Sequence, residues 1–460
     1  MKNKTFKTLE KFRHRRYSLI VLLALFALLL VVDDAEPSLV QRVTQHVYFL
    51  ADDALLGRAT PSGGLDRAAS YIMDQFKSEG LKPINDEYAH HVQADAYVPM
   101  PITLSTDLRD AQGLLISALK DTVASQLIWR HLDDYKALNT LLRHEAATLP
   151  RGPRTQAEFA AIHQTQCGLM VIRVQAPEQG SPHLSPLATE TPLVAVNSDT
   201  WNMLRSSGTV TFQFGASKTT PIDLLNPVGI LRGSDPSLAE TYVVVGAHYD
   251  HVGHALADDI PRGPMNGDGD LIWNGANDNA SSIAALIECA RLLRRNPPKR
   301  SVLFVAFFGE ELGLLGSSSF VQNPPVPLKS MMAMINLEQL GRTDDMARPD
   351  GIKPGALAMT GFYRSTLPAQ IQRLAESGTV SVYAHPEYSE AYFRRSDNAP
   401  FVDAGIPAHT ISASFSFPDY HQPTDHREQI DYDYLARVTE FLSKAVTDLG
   451  NSPDVPTWLP

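Results

Sequence analysis

Cysteine is almost absent from this chain of 460 residues: Cys167 and Cys289 are its only two, far apart in sequence. That excludes a disulfide framework and a cysteine-based zinc finger. Cys289 sits on an apolar helical face and is expected to be a buried structural thiol. An excess of positive charge is also lacking. Forty Lys and Arg against fifty-one Asp and Glu leave a formal charge of −11, which argues against nucleic acid as the main partner. No internal repeat is apparent. No apolar run reaches the ~20 residues that a transmembrane helix comfortably needs. The nearest is Leu19 to Val32, preceded by Lys2, Lys4, Lys7, Lys11, Arg13, Arg15 and Arg16. A basic region followed by a short apolar core is the design of an export signal. No A-x-A site follows the run, so an uncleaved anchor with its basic end in the cytoplasm is nearly as good a reading as a cleaved signal. No cysteine follows it either, which excludes a lipoprotein. Under both readings the folded part is expected to be exported: periplasmic, secreted, or anchored and facing the extracytoplasmic side.

What is present is an ordinary globular composition, 43% apolar and 20% charged, on a chain long enough for a large core and more than one domain. Residues from about Ser38 to Asn85 are helical by pattern: Val40, Val43, Val47, Phe49 and Leu50 form one stripe, and Leu65 to Gly80 carries another. Leu56-Gly-Arg-Ala-Thr-Pro-Ser-Gly-Gly between them is a loop by composition. The stretch from about Tyr88 to Asn226 differs in character. Helical segments are expected near Asp133–Ala147 and Gln156–Gln164. Strands are expected at Gly168-Leu-Met-Val-Ile-Arg-Val, Pro192-Leu-Val-Ala-Val and Gly208-Thr-Val-Thr-Phe-Gln-Phe. From Pro227 onward strands and helices alternate, as in a sheet covered on both faces. Ala280 to Leu293 is the clearest helix, with Arg291, Arg294 and Arg295 complementing its C-terminus and Asn296-Pro-Pro stopping it.

Candidate chemistry lies where apolar runs end. His248 closes Thr241-Tyr-Val-Val-Val-Gly-Ala-His, with Asp250 two residues on to orient the imidazole through its second nitrogen. Asp278 lies in Asn274-Gly-Ala-Asn-Asp-Asn-Ala-Ser-Ser, where it could cap the next helix or bridge metals. Glu310 and Glu311 end a fully apolar strand. Adjacent carboxylates there repel and cost desolvation unless something positive holds them. One could bind metal while its neighbour acts as general base; a solvated pair at a helix start is the alternative. Glu338 ends Met331-Met-Ala-Met-Ile-Asn-Leu-Glu. In Tyr420-His-Gln-Pro-Thr-Asp-His426 either His421 or His426 could be a ligand. Ligands at the ends of successive strands converge on one rim of an open α/β sheet, and imidazoles with carboxylates suggest two divalent ions, zinc above all. Asn266-Gly-Asp-Gly-Asp270 has a faint calcium-loop look, but it lacks the later Glu and reads as a surface loop.

Taken as an ordered set, Gly246-Ala-His-Tyr-Asp-His, Asn274-Gly-Ala-Asn-Asp-Asn-Ala-Ser, Phe308-Gly-Glu-Glu-Leu-Gly-Leu-Leu-Gly-Ser, Ile335-Asn-Leu-Glu, Arg395-Ser-Asp-Asn-Ala-Pro-Phe and Tyr420-His resemble the zinc-dependent aminopeptidases with a co-catalytic dizinc site. Phe49-Leu-Ala-Asp-Asp-Ala-Leu-Leu-Gly-Arg and Ala68-Ala-Ser-Tyr-Ile resemble that family's N-terminal helices. The family includes the bacterial secreted leucyl aminopeptidase and aminopeptidase Y type. Glutamate carboxypeptidase II and the transferrin receptor ectodomain are distant relatives.

The resemblance implies an α/β fold of zinc-exopeptidase, phosphorylase/hydrolase-like type: a mixed, mostly parallel central sheet flanked by helices, with an inserted smaller α+β domain. The expected divisions are residues 1–35 as signal peptide or anchor, 36–87 and 227–450 as the peptidase domain, and 88–226 as the insert, in the place of a protease-associated domain. By resemblance, Asp278 bridges two zincs per chain, His248 and Glu338 complete one site, Glu311 and His421 complete the other, Glu310 is the general base, and Asp250 is the partner of His248. Glu338 stands where the family often has Asp, and Ser282 replaces a usual Gly. The implied activity is hydrolysis of N-terminal peptide bonds through a water held between metals roughly 3.5–4 Å apart. The substrate is a peptide with a free N-terminus, with membrane contact only through residues 1–35. The rival readings are a single-zinc glutaminyl cyclase-like acyltransferase, a carboxypeptidase, and a non-catalytic ectodomain of the same fold.

Overall fold

The structure, a computed structural model, describes residues 36–98, 100–106, 110–115, 170–173, 193–196, 210–212, 218–254, 270–376 and 380–460. Residues 1–35, Cys167, the helical segments expected at Asp133–Ala147 and Gln156–Gln164, and most of the Asn266–Asp270 loop lie outside these. Among the described residues no helix is long and apolar enough to cross a membrane.

The chain opens with helix α1 (Leu39–Leu50). Ser38 accepts from the Gln41 N–H while the Gln41 side chain reaches back to the Ser38 backbone, a reciprocal cap that satisfies two otherwise orphaned donors. Val43, His46, Val47 and Leu50 are its buried face. Helix α2 (Gly63–Ser78) starts under a Ser62 cap and buries Leu65, Ala68, Ala69, Ile72 and Phe76. Both stripes have the helical period expected of them, except that Phe49 lies off the buried face, 39% exposed and stacked on Tyr71.

Eight strands form the main sheet in the order β1-β7-β11-β8-β12-β15-β13-β14. Their ranges are β1 (Ala89–Val98), β7 (Lys218–Leu231), β8 (Tyr242–His248), β11 (Ser301–Phe307), β12 (Met331–Glu338), β13 (Leu357–Met359), β14 (Val382–Tyr383) and β15 (Ala408–Ser412). Strands β11, β8, β12 and β15 are mutually parallel, while β1–β7, β7–β11 and β15–β13 pair antiparallel. This is the expected mixed sheet with a parallel centre. Every residue of β8, β11 and β12 is buried, as strands covered on both faces must be.

One face carries α1, α2, α3 (Ser281–Arg294) and α8 (Tyr432–Asn451) over a core that includes Val43, Ile72, Phe304, Ile287 and Leu442. Cys289 is fully buried there, and burial pushes its thiol pKa up, which leaves it inert. On the other face Phe320 of α4 (Leu315–Gln322) and Phe401 of α7 (Asn398–Asp403) pack with Phe307 and Val244. Two further helices, α5 (Leu367–Ala375) and α6 (Tyr388–Ala391), complete the set.

A second, five-stranded sheet runs β4-β5-β3-β2-β6, with β2 (Met100–Thr106), β3 (Asp110–Leu115), β4 (Met170–Arg173), β5 (Leu193–Val196) and β6 (Val210–Phe212). The three strands anticipated near 168, 192 and 208 are β4, β5 and β6. The main sheet takes in β1 and most of β7, so it reaches past residues 88 and 226 into the stretch expected to be inserted. A short pair, β9 (Gly253–His254) with β10 (Ile272–Trp273), lies beyond β8.

The functional consequence lies in the order. From β8 the chain passes to β11 on one side and then crosses to β12 on the other. The C-terminal ends of these parallel strands flank a switch point, where open α/β sheets hold their sites.

Candidate metal centre

Four parallel strands deliver the candidate residues to one rim. His248 is the last residue of β8 and pairs in register with Phe307 of β11, just before Glu310 and Glu311. Glu338 is the last residue of β12, opposite Ser412 of β15, whose following loop carries His421. Asp278 stands in the distorted turn Ala276–Ala280 ahead of α3. That helix has no side-chain cap, so Asp278 is not capping it.

The two oxygens of Asp278 face opposite ways. Its Oδ1 lies 3.3 Å from His248 Nε2, and its Oδ2 lies 3.1 Å from His421 Nε2. Glu338 Oε2 is 3.4 Å from His248 Nε2, and Glu311 Oε1 is 3.1 Å from His421 Nε2. His248, Glu310 and Glu338 form one ligand-like group, and His251, Asp278, Glu311 and His421 form another. All the metal residues suggested by the sequence are therefore brought together, with Asp278 between the two imidazoles. His426 stands apart, its ring sharing a bond with Asn274 Oδ1 and lying 3.3 Å from Asp270.

The site is buried and acidic. His248, Asp250 and Asp278 are fully buried, and Glu310, Glu338 and His421 are at most 8% exposed. Buried carboxylates Asp397 and Asp425 add to the charge, and the buried guanidinium of Arg58 stands near Asp425. Burial pushes Asp397 up to about 7, although His248 pulls it down. Burial likewise raises Asp425 to about 6 against the backbone N–H groups of Asn277 and Asp278. For His248, desolvation disfavours the cation, but the charges of Glu338 and Glu310 and the adjacent carboxylates of Asp250 and Asp278 outweigh it, leaving the pKa well above the ordinary value. The Nε2 atoms of His248 and His251 are buried without a hydrogen-bond partner. Orphaned imidazole nitrogens facing an excess of carboxylate oxygens are what a protein pays to keep unless a cation binds. Three imidazoles and several carboxylates, with no thiolate among the described residues of the two groups, suit zinc among the common ions.

Positioning is equally specific. His248 Nδ1 shares a hydrogen bond with the Asp250 backbone carbonyl at 3.2 Å, and the Asp250 carboxylate Oδ1 lies 3.5 Å away. The Asp250 carboxylate accepts the Glu310 backbone N–H at 3.2 Å and the Thr60 hydroxyl at 3.2 Å. Ser396 donates to Glu338 Oε1 at 2.5 Å. Arg342 forks onto Asp344 and onto Asp419, two residues before His421.

Several contributors escape a reading of the sequence. His251, 3.0 Å from Glu311 Oε1, stood inside a quoted motif without a role. Gly275, at φ +59°, makes room for its ring, because a Cβ there would meet the His251 ring at 2.5 Å. Asp425 accepts the N–H groups of Asn277 and Asp278 at 3.0–3.1 Å and so fixes the Asp278 turn. Arg58 arrives from the N-terminal helices.

Residues 226–446 match the model of Peptidase family M28. Among curated proteins, a probable zinc metalloprotease of Pyrenophora tritici-repentis is 26% identical over 269 residues, 52% of this chain and 59% of that protein. Aminopeptidase YwaD of Bacillus subtilis is 28% identical over 278 residues, 58% of this chain and 53% of that protein. The chain thus spans little more than half the length of these two relatives. A solved zinc aminopeptidase from Bacillus subtilis covers 89% of this chain and 94% of its own with a TM-score of 0.60 at 21% identity, a likeness of fold.

Proposed function

We propose, from the premise that this chain belongs to Peptidase family M28, that it is a zinc metallo-exopeptidase that hydrolyses N-terminal peptide bonds. The single observation that carries this reading is Asp278, fully buried, with one oxygen turned to His248 and the other to His421. A lone carboxylate so placed suits a bridge between two ions. The names of the relatives, a zinc metalloprotease and an aminopeptidase, support zinc and a peptide substrate.

In this reading His248 and Glu338 would hold one zinc, Glu311 and His421 the other, and Asp278 would be shared by both, for two zincs per chain. When bound, such a pair supplies the Lewis acidity that activates water and offsets charge on a carbonyl oxygen. The protein's own part belongs to Glu310. Its backbone N–H is tied to Asp250, and its carboxylate is grouped with His248 and Glu338. It takes the proton of the attacking water and returns it to the departing amine. The buried walls exclude bulk water and strengthen each of these interactions. A single-zinc acyltransferase would leave the group around Glu311 and His421 without work. We further propose export, on the basic-then-apolar start of the sequence, and a separate role for the region 88–226 as an inserted domain.

The test is a panel of aminoacyl and peptidyl substrates with free and blocked N-termini, with and without a chelator. Chelator-sensitive cleavage confined to free N-termini is expected. Release of C-terminal residues, or cyclisation of N-terminal Gln peptides, would overturn the aminopeptidase reading.

A further inference from the structure

Arg58 is 1% exposed, at the end of a turn in which Leu56, Gly57 and Arg58 have φ values of 49°, 66° and 47°. Side-chain-bearing residues rarely enter that left-handed region. The turn is wedged inward: a Cβ on Gly57 would lie 2.2 Å from the Gly253 carbonyl oxygen and 2.5 Å from that of Trp273. From there, among the described residues, the guanidinium donates to backbone carbonyls alone. Nε reaches Tyr249 O at 2.8 Å, one terminal nitrogen reaches Asn274 O at 2.7 Å and also Leu50 O, and the other reaches Gly275 O at 3.0 Å. The Arg58 carbonyl in turn accepts the His251 N–H at 3.2 Å.

The carbonyls it collects come from three segments. Leu50 ends α1; Tyr249 lies between His248 and Asp250; Asn274 and Gly275 lead into the turn of Asp278. A fully buried cation beside Asp250, Asp278, Glu311 and Asp425 would ordinarily be used in an ion pair. Here its donors are spent on peptide dipoles, which leaves the carboxylates to other partners. Only a planar fork with several fixed donors can do this; an ammonium is a single point.

We propose that Arg58 is a positioning residue of the metal centre, holding the His248 loop and the Asp278 loop in register so that both sets of ligands are in place before metal arrives. The proposal rests on the reading of the two groups as a zinc site. Its test uses the whole chain as wild type, Arg58→Lys and Arg58→Met, stripped of metal and titrated with zinc against a chromophoric chelator. Near-UV circular dichroism and thermal unfolding are followed alongside. Arg58→Met is expected to bind at least one zinc about 10–100-fold more weakly at temperatures where its dichroism matches wild type, and Arg58→Lys to recover only part of that loss. Should Arg58→Met fail to fold, Arg58→Lys alone decides, with an expected weakening of several-fold. Wild-type affinity in the variants, or a loss appearing only as they unfold, would overturn the proposal while leaving the zinc reading intact. Failure of the wild type itself to bind zinc would overturn both.

Discussion

Two buried polar clusters in this protein use the same kinds of side chain to opposite ends. Between α1, α2 and α3, His46 shares a bond with Tyr71 at 2.7 Å and another with Glu288 at 3.1 Å, and Arg291 donates to Glu288 at 2.5 Å. Each group has a partner, and charges of opposite sign meet. At the sheet rim, carboxylates outnumber cations among the described residues, and His248 and His251 each keep one ring nitrogen, Nε2, buried without a hydrogen-bond partner. The closed cluster is a structural joint; the open one is a site built around charge that the chain does not itself supply. Burial alone therefore does not distinguish function from structure, whereas the state of satisfaction does.

The sharpest way to break that comparison is at Glu310. Replacing it with Gln should reduce turnover at least about 10²–10⁴-fold, the usual worth of a general base, while zinc content stays at the wild-type level; substantial residual kcat would remove Glu310 from the role. Next comes the bridge. Asp278→Ala should empty both groups, so that zinc measured by elemental analysis falls and added zinc no longer raises the unfolding temperature; a variant that still holds two zincs would contradict the bridging assignment. The closed cluster should answer differently. Glu288→Ala breaks a buried pair and should cost about 3–5 kcal/mol in urea unfolding with zinc content unchanged. Loss of zinc in that variant would erase the distinction between the two clusters.

The smallest effect is a pH dependence. Burial raises the Glu288 pKa, but the bonds from His46 and Arg291 outweigh it and hold the group below the ordinary carboxylate value. A depressed folded-state pKa means that Glu288 stabilises the fold fully above the ordinary range and loses that contribution as pH falls through the folded value. Wild-type stability should therefore drop with acid more steeply than that of Glu288→Gln. Equal slopes would show that the network does not depend on the carboxylate's charge.

Much of the site could be read from the sequence because its ligands sit at strand ends. Apolar runs announce β8, β11 and β12, and the residues that close or follow them, His248, Glu310, Glu311 and Glu338, are among those grouped at the rim. The sheet's parallel centre followed from the alternation of strands and helices. What could not be read were residues whose partners are backbone atoms. Arg58 grips four carbonyls and Asp425 accepts backbone N–H groups, and peptide groups carry no residue identity to match against. His251 follows Asp250 directly, and only the bend after β8, with Gly275 clearing space for the ring, turns it toward Glu311. The choice between His421 and His426 was likewise made by the loop's path, since both stand in the same short motif.

The central claim is that this rim holds two zincs that act together in peptide hydrolysis. Its most direct test is titration of chelator-stripped protein with zinc while the cleavage of an aminoacyl substrate is followed. Activity that reaches its plateau at two equivalents per chain is the predicted result. A plateau at one equivalent, or no activity at any zinc loading, would contradict the account.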